Sequence, residues 1–208
     1  MQISKLYETK LECSSYNVNI DSTDTTVTLT LVDFNGSPVT NTAVTLKADK
    51  GYFTKAVGKT TTTYTDASAT KSINVTTDNY GKVVATWTAS EWGLCTFSAN
   101  NNSIQTITRG YKIYSDSRFK IRYNEDIVIF EMNWQLTTDL TNNGSWNTLT
   151  SISIPEDLRP PDVRAITALN YHDVTFVIET DGTAKYYNNQ SAKVPSPLLN
   201  FNLVWRKK

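Results

Sequence analysis

Few side chains in this sequence are of the types that carry chemistry. His172 is the only histidine, and Cys13 and Cys95 are the only cysteines. A Ser/His/Asp relay would rest wholly on His172, and two cysteines so far apart form no CxxC-type metal site. No metal and no cofactor are therefore expected. The two cysteines either pair as a disulfide or serve as small buried hydrophobes. Glu125, Asp126 and Glu131 are the nearest thing to a carboxylate pair for glycoside cleavage, which needs two acids at a fixed separation across a sugar. Glu125 and Asp126 fall in a "YNED" segment that reads as a hairpin turn, where acids bond the local backbone. The "YHD" triplet, Tyr171 to Asp173, also reads as a turn. No catalytic residue is assigned, and the chain is not expected to be an enzyme.

Aromatic and amide side chains are the stronger signal. Trp134, Trp146, Tyr171, Tyr186, Tyr187 and Trp205 lie among Asn133, Asn142, Asn143, Asn188, Asn189 and Gln190. Ring faces can stack on sugar CH groups while amides take the hydroxyls. The candidate ligand-binding set is Trp134, Tyr171, His172, Tyr186, Tyr187, Asn188 and Asn189. Trp146 and Trp205 belong to alternating runs and are expected in the core. Tyr186, Tyr187 and the amides after them are expected to be exposed.

The elements that must position these residues are strands. Of 32 threonines, 23 precede residue 109, and a β-branched residue fits a pleated surface better than a helix. "TTVTLTLVDF" puts Val27, Leu29 and Leu31 on one face before the turn "NGSP". "AVTLKAD", "KSINVTT", "KVVATWTAS" and "LCTFSAN" follow, with "DNYG" and "EWG" as turns. Short strands broken about every ten residues indicate an antiparallel sandwich, and no window keeps a helical period beyond two turns. Threonine density falls and aromatic density rises after Arg109 and Gly110, which sets domains at 1–109 and 110–208. In the second, "FKIRYNEDIVIFEMNW" gives two strands; apolar residues on both faces suggest cover on both sides or contact with another subunit. "WNTLTSISI", "AITALN", "VTFVIET", "TAKYY" and "LLNFNLVW" read as further strands, the last with Leu199, Phe201, Leu203 and Trp205 inward. The fold class is all-β, two β-sandwich domains.

Twenty basic and twenty acidic residues cancel, nine of each up to Arg109 and eleven of each after it. Nucleic acid and anionic membrane are therefore not expected partners. No apolar run approaches the roughly 20 residues that span a bilayer, and "MQISKLYETKLECSS" lacks an apolar signal core. Either a signal has been removed or the protein leaves its cell by another route.

"VTLTLVDFNGSPVTNTAVTLKADKGYF", "TTDNYGKVVATWTAS" and "GLCTFSAN" together resemble the bacterial Ig-like domain of the invasin and intimin type over residues 12–108. Cys95 stands where that family usually has an aromatic residue; in this register Cys95, Phe97 and Ala99 face the core. The resemblance implies a rigid spacer without chemistry. Residues 111–208 resemble the C-terminal domain of phage tail-fibre and baseplate proteins at Trp146, Ile154, Pro155, Leu158, Arg159, Pro160, Ile178, Asp181 and Gly182, although Glu156 and Asp157 replace the usual glycine. That resemblance implies a jelly-roll-like or tail-tip sandwich, often a homotrimer, that binds a host-surface polysaccharide or wall polymer alongside other tail proteins. Trp146, Pro155, Arg159, Pro160, Asp181 and Gly182 would then be structural, the prolines stiffening a strand crossing and Arg159 satisfying loop carbonyls. The location implied is the virion tail, assembled in the host cytoplasm. The alternative is a cell-surface adhesin with an Ig-like spacer.

Overall fold

The structure is a computed structural model that describes residues 7–65, 70–137, 139–140, 144–149, 152, 154–167, 174–188 and 198–207. It divides into two compact units, Met1–Gly110 and Tyr111–Lys208. Both are built of mostly antiparallel strands packed as sandwiches, the short β2 pairing parallel to β10 in unit 1, so the chain is all-β.

Among the described residues, unit 1 has ten strands: β1 (Tyr7–Cys13), β2 (Asn17–Asn19), β3 (Thr25–Asp33), β4 (Ala43–Ala48), β5 (Tyr52–Val57), β6 (Thr61–Thr63), β7 (Ser72–Thr76), β8 (Lys82–Thr88), β9 (Gly93–Ala99) and β10 (Asn102–Arg109). One sheet runs β1-β3-β8-β5-β6, the other β2-β10-β9-β4-β7. Period-two patterning decides what lies between them: Val27, Leu29 and Leu31 are fully buried while the threonines between them face outward. Cys95, Phe97 and Ala99 face the same core. Trp87 stands edge-on to Phe97 with ring centroids 5.1 Å apart, and its indole N–H donates to Lys50 O at 2.9 Å. This close packing requires Gly51 (φ +66°), since a Cβ there would lie 2.3 Å from Thr88 O and 2.6 Å from the Trp87 ring.

Two tight turns of unit 1, one after β3 and one before β8, share one arrangement, each where the chain passes from one sheet to the other. Asp33 O accepts from Gly36 N, Asp33 N donates to Ser37 O, and the Asp33 carboxylate accepts from Asn35 N and Ser37 N. Asp78, Tyr80, Gly81 and Lys82 repeat the arrangement. The spacing D-x-x-G-x thus encodes a type I turn closed by a left-handed glycine.

Among the described residues, unit 2 has eight strands: β11 (Lys112–Ser115), β12 (Phe119–Tyr123), β13 (Ile127–Gln135), β14 (Asn147–Thr148), β15 (Arg164–Thr167), β16 (Val174–Ile178), β17 (Ala184–Asn188) and β18 (Leu198–Arg206). The sheets run β11-β12-β13-β18 and β14-β17-β16-β15. Between them Phe119 stacks on Phe130, Phe130 on Trp205 and Phe176 on Phe201. Leu199, Phe201, Leu203 and Trp205 all point inward from β18.

The run "WNTLTSISI" differs from the strand expected of it. Among its described residues, only Asn147 and Thr148 pair in the sheet. Leu149 N still donates to Ala184 O, but Ile152 N turns back to Leu149 O, and Leu149, Ile152 and Ile154 drop their side chains into the core. Apolar positions three and two apart do not fit one sheet face, so the ladder gives way to a turn.

Candidate functional site

The segment "IPEDLRPP" is an ordered crossing. Glu156–Leu158 forms one 3-10 turn with Pro155 at its N-cap. Ile154, Leu158 and Pro160 are buried. Arg159 Nε–H donates to Ile154 O at 3.1 Å, and the indole N–H of Trp205 donates to Leu158 O at 3.0 Å. Gly182, in the hairpin between β16 and β17, lies against this arginine with φ +83°. The Asp181 carboxylate accepts from Thr183 N at 2.7 Å, and that bond lowers its pKa.

The ligand-binding candidates separate. Tyr171, His172 and Asn189 lie outside the described residues. Tyr186 and Asn188, expected to be exposed, are buried; Asn188 Nδ2 donates to Leu140 O at 3.0 Å inside the core. The cause is parity: they pair with Phe176 and Val174, whose side chains point inward. Trp146 is corrected in the opposite sense. It was expected in the core, yet it precedes β14, is 49% exposed, and packs its ring against Tyr187 at 5.5 Å. Trp134 follows Val128, Phe130 and Met132 on the core side of β13, is half-buried, and has the Arg118 guanidinium 5.6 Å over its ring. Trp205 is in the core, as its alternating run requires.

Among the described residues, two outer faces of unit 2 carry aromatic, amide and charged side chains. The outer face of β14-β17-β16-β15 shows the Trp146–Tyr187 pair beside a Lys185–Glu179 ion pair of 2.8 Å, with Thr175 directly across from Tyr187. The outer face of β11-β12-β13-β18 shows an open groove of about 550 Å³. Asn133 there sits opposite Asn200, and Glu131 lies between Lys120 and Asn202. Arg118 at its rim makes a two-pronged bond to Asp116, at 2.6 and 2.8 Å, which holds that carboxyl at about 2. Glu131 is ion-paired with Arg122. Asn200, Asn202 and Lys120 were missed in the sequence, although in "LLNFNLVW" the asparagines alternate with the apolar set and so had to face outward. Beside this groove the same face exposes Ile113 and Val204, with Ile129 half-buried between them, so the apolar residues of β13 have cover on one side only.

The acids expected to be the nearest carboxylate pair do not meet. Glu125 and Asp126 occupy the turn between β12 and β13, where Asn124 Oδ1 accepts from Asp126 N and Ile127 N. Glu131 lies five residues further, about 16 Å along the strand. Among the described residues, no group of three or more His, Cys, Asp or Glu is placed to hold a metal ion. Cys13 and Cys95 are free thiols; burial raises both pKa values, Cys95 to about 12. Among the described residues no helix is long and apolar enough to cross a membrane.

No family model matches the chain, and no curated protein does. Among solved structures the chain is similar to the Yersinia pseudotuberculosis adhesin InvE, at 16% identity over 95% of this chain with a TM-score of 0.36. The collagen adhesin CNA of S. aureus matches at 13% identity over 99% of this chain and 82% of its own, with a TM-score of 0.35. Domains 5–6 of the S-layer protein SbsC match at 10% identity over 97% of each chain, with a TM-score of 0.30. The chain spans 58% of the Yersinia adhesin chain. These neighbours are adhesin and S-layer proteins.

Proposed function

We propose that the chain is a non-enzymatic attachment module, in which unit 1 is a spacer and unit 2 presents a saccharide-binding face to a surface polysaccharide or wall polymer. The observation that carries this reading is the Trp146–Tyr187 pair: two aromatic rings in contact on an outer sheet face, one of them half exposed. An indole left half in water is unfavourable without a partner, and ring faces beside a threonine hydroxyl and an ion pair suit the alternating CH and OH surfaces of a sugar. Neither nucleic acid nor membrane is a partner in this reading, and no cofactor is needed.

Such a module fits a cell-surface adhesin, and it also fits the tip of a phage tail, where it would act as a homotrimer with other tail proteins. Sedimentation of purified protein with intact cells or walls tests the attachment reading. W146A should weaken co-sedimentation while leaving the melting temperature unchanged; equal sedimentation of W146A, or of neither protein with any wall tested, would sink it. Light scattering for the trimer, and the location of the native protein in envelope fractions or in virions, separate the two settings.

A further inference from the structure

We infer that the groove on the outer face of β11-β12-β13-β18 is a second, separate binding site, and that its ligand is an acidic polyhydroxylated chain: a polysaccharide or polyol polymer bearing carboxylate or phosphodiester groups. The site lies on the sheet opposite to that carrying Trp146 and does not depend on the ring pair.

Three features argue for it. The side chains of Asn133, Asn200, Asn202 and Lys120 make no hydrogen bond or ion pair among the described residues. Each amide offers two donors and an acceptor that takes two bonds, which matches hydroxyls that both give and accept. Their spacing is fixed by the sheet. Asn133 and Asn200 lie on neighbouring strands about 4.8 Å apart, and Asn202 is one pleat repeat, about 7 Å, further along β18, on the scale of one sugar unit.

Charge then selects among polyols. Arg118 is taken by Asp116 and Glu131 by Arg122, so these pairs cancel. Lys120 remains, opposite a Glu131 already engaged elsewhere. The groove, counted with Arg122, therefore keeps a net charge of one, at Lys120, which stands between Ser115 and Glu131 across the sheet, with Asn133 and Asn202 beyond Glu131. An anionic group on the ligand would gain a charge-assisted hydrogen bond from Lys120, which a neutral polymer cannot make.

The test is affinity electrophoresis of the full chain in gels containing polygalacturonate, poly(glycerol phosphate) or neutral dextran. Retardation by at least one acidic polymer, and not by dextran, is expected. K120A should weaken it roughly tenfold, as should N133A/N200A, and added salt should weaken it further. Retardation by polygalacturonate alone assigns a carboxylate ligand, and by poly(glycerol phosphate) alone a phosphodiester. W146A should keep the acidic-polymer retardation, which separates this site from the ring pair. The inference is overturned if no acidic polymer retards the protein, if dextran does so equally, if K120A and N133A/N200A migrate like the parent, or if W146A alone abolishes retardation.

Discussion

Substituting alanine for Gly182 probes whether the proline-arginine crossing and the β16–β17 hairpin form one structural unit. Gly182 has φ +83°, where an L side chain costs about 1–2 kcal/mol. A Cβ there would also lie 2.9 Å from Arg159 Nε, 3.2 Å from its Cγ and 3.1 Å from Ile154 O. Crowding of that kind adds about 1–3 kcal/mol. G182A is thus expected to destabilise unit 2 by about 2–5 kcal/mol. R159A should cost less, about 1 kcal/mol for the bond to Ile154 O plus the packing of its stem. In the double variant two of the three close contacts are gone and the Arg159–Ile154 bond is no longer there to be displaced. Its loss should therefore fall short of the sum by about 1 kcal/mol or more. Urea unfolding of the full chain, followed by hydrogen exchange at the β16 and β17 amides, reads unit 2 separately from unit 1. Additivity within about 0.5 kcal/mol would refute the claim that the arginine and the glycine pack as a pair.

Three further outcomes follow from the same contacts. W205F removes the indole donor to Leu158 O and leaves a buried carbonyl unpaired; a loss of about 1–3 kcal/mol is expected in the unit 2 transition, and no loss would mean that water or another donor replaces it. Thiol titration with a disulfide reagent at pH 8 should find Cys95 inert in the native protein, because burial holds its pKa at about 12, and should count two thiols after unfolding without reductant. A count of zero would show that the pair had oxidised. The Asp116 carboxyl, lowered to about 2 by Arg118, contributes stability that is complete above its unfolded pKa of about 3.9 and is lost as pH falls through about 2. A D116N variant should therefore differ from the parent in melting temperature above about pH 4, with the difference vanishing below about pH 2; a constant difference at every pH would show that its effect is not ionic.

Unit 1 was legible because its signals agree. Strict alternation at Val27, Leu29 and Leu31 marks the inner face of β3, and the repeated D-x-x-G-x turn marks where the chain leaves one sheet for the other, so the core follows from local patterns. Unit 2 was less legible where apolar spacing breaks period two. "LTSISI" reads as alternating, yet Leu149 and Ile152 are three apart, and the turn between them depends on which core positions remain open after the other strands are placed. Tertiary space decided that segment, and no local pattern encodes tertiary space.

The candidate site shows how little separates the two faces. Tyr186 and Tyr187 are adjacent in a strand, so one must point inward and the other outward. Which one does so depends on the loop. The "DG" pair suggests a two-residue turn; that would pair Thr180 with Thr183, carry the register onward to Phe176 opposite Tyr187, and bury Tyr187. The structure instead closes a three-residue loop: Gly182 N donates to Glu179 O, and Glu179 N to Thr183 O, so Phe176 pairs with Tyr186. That single extra loop residue turns Tyr187 outward to meet Trp146 and turns Asn188 inward to Leu140. Deleting Thr180 shortens the loop to Asp181-Gly182 while Glu179 still faces Thr183, so the register is kept: Phe176 stays opposite Tyr186 and Tyr187 stays outward. The deletion should therefore leave the ring pair and the Asn188–Leu140 bond in place. A variant that lost wall binding and buried Tyr187 after that deletion would show that the closure of Glu179 on Thr183 is not what turns this tyrosine outward.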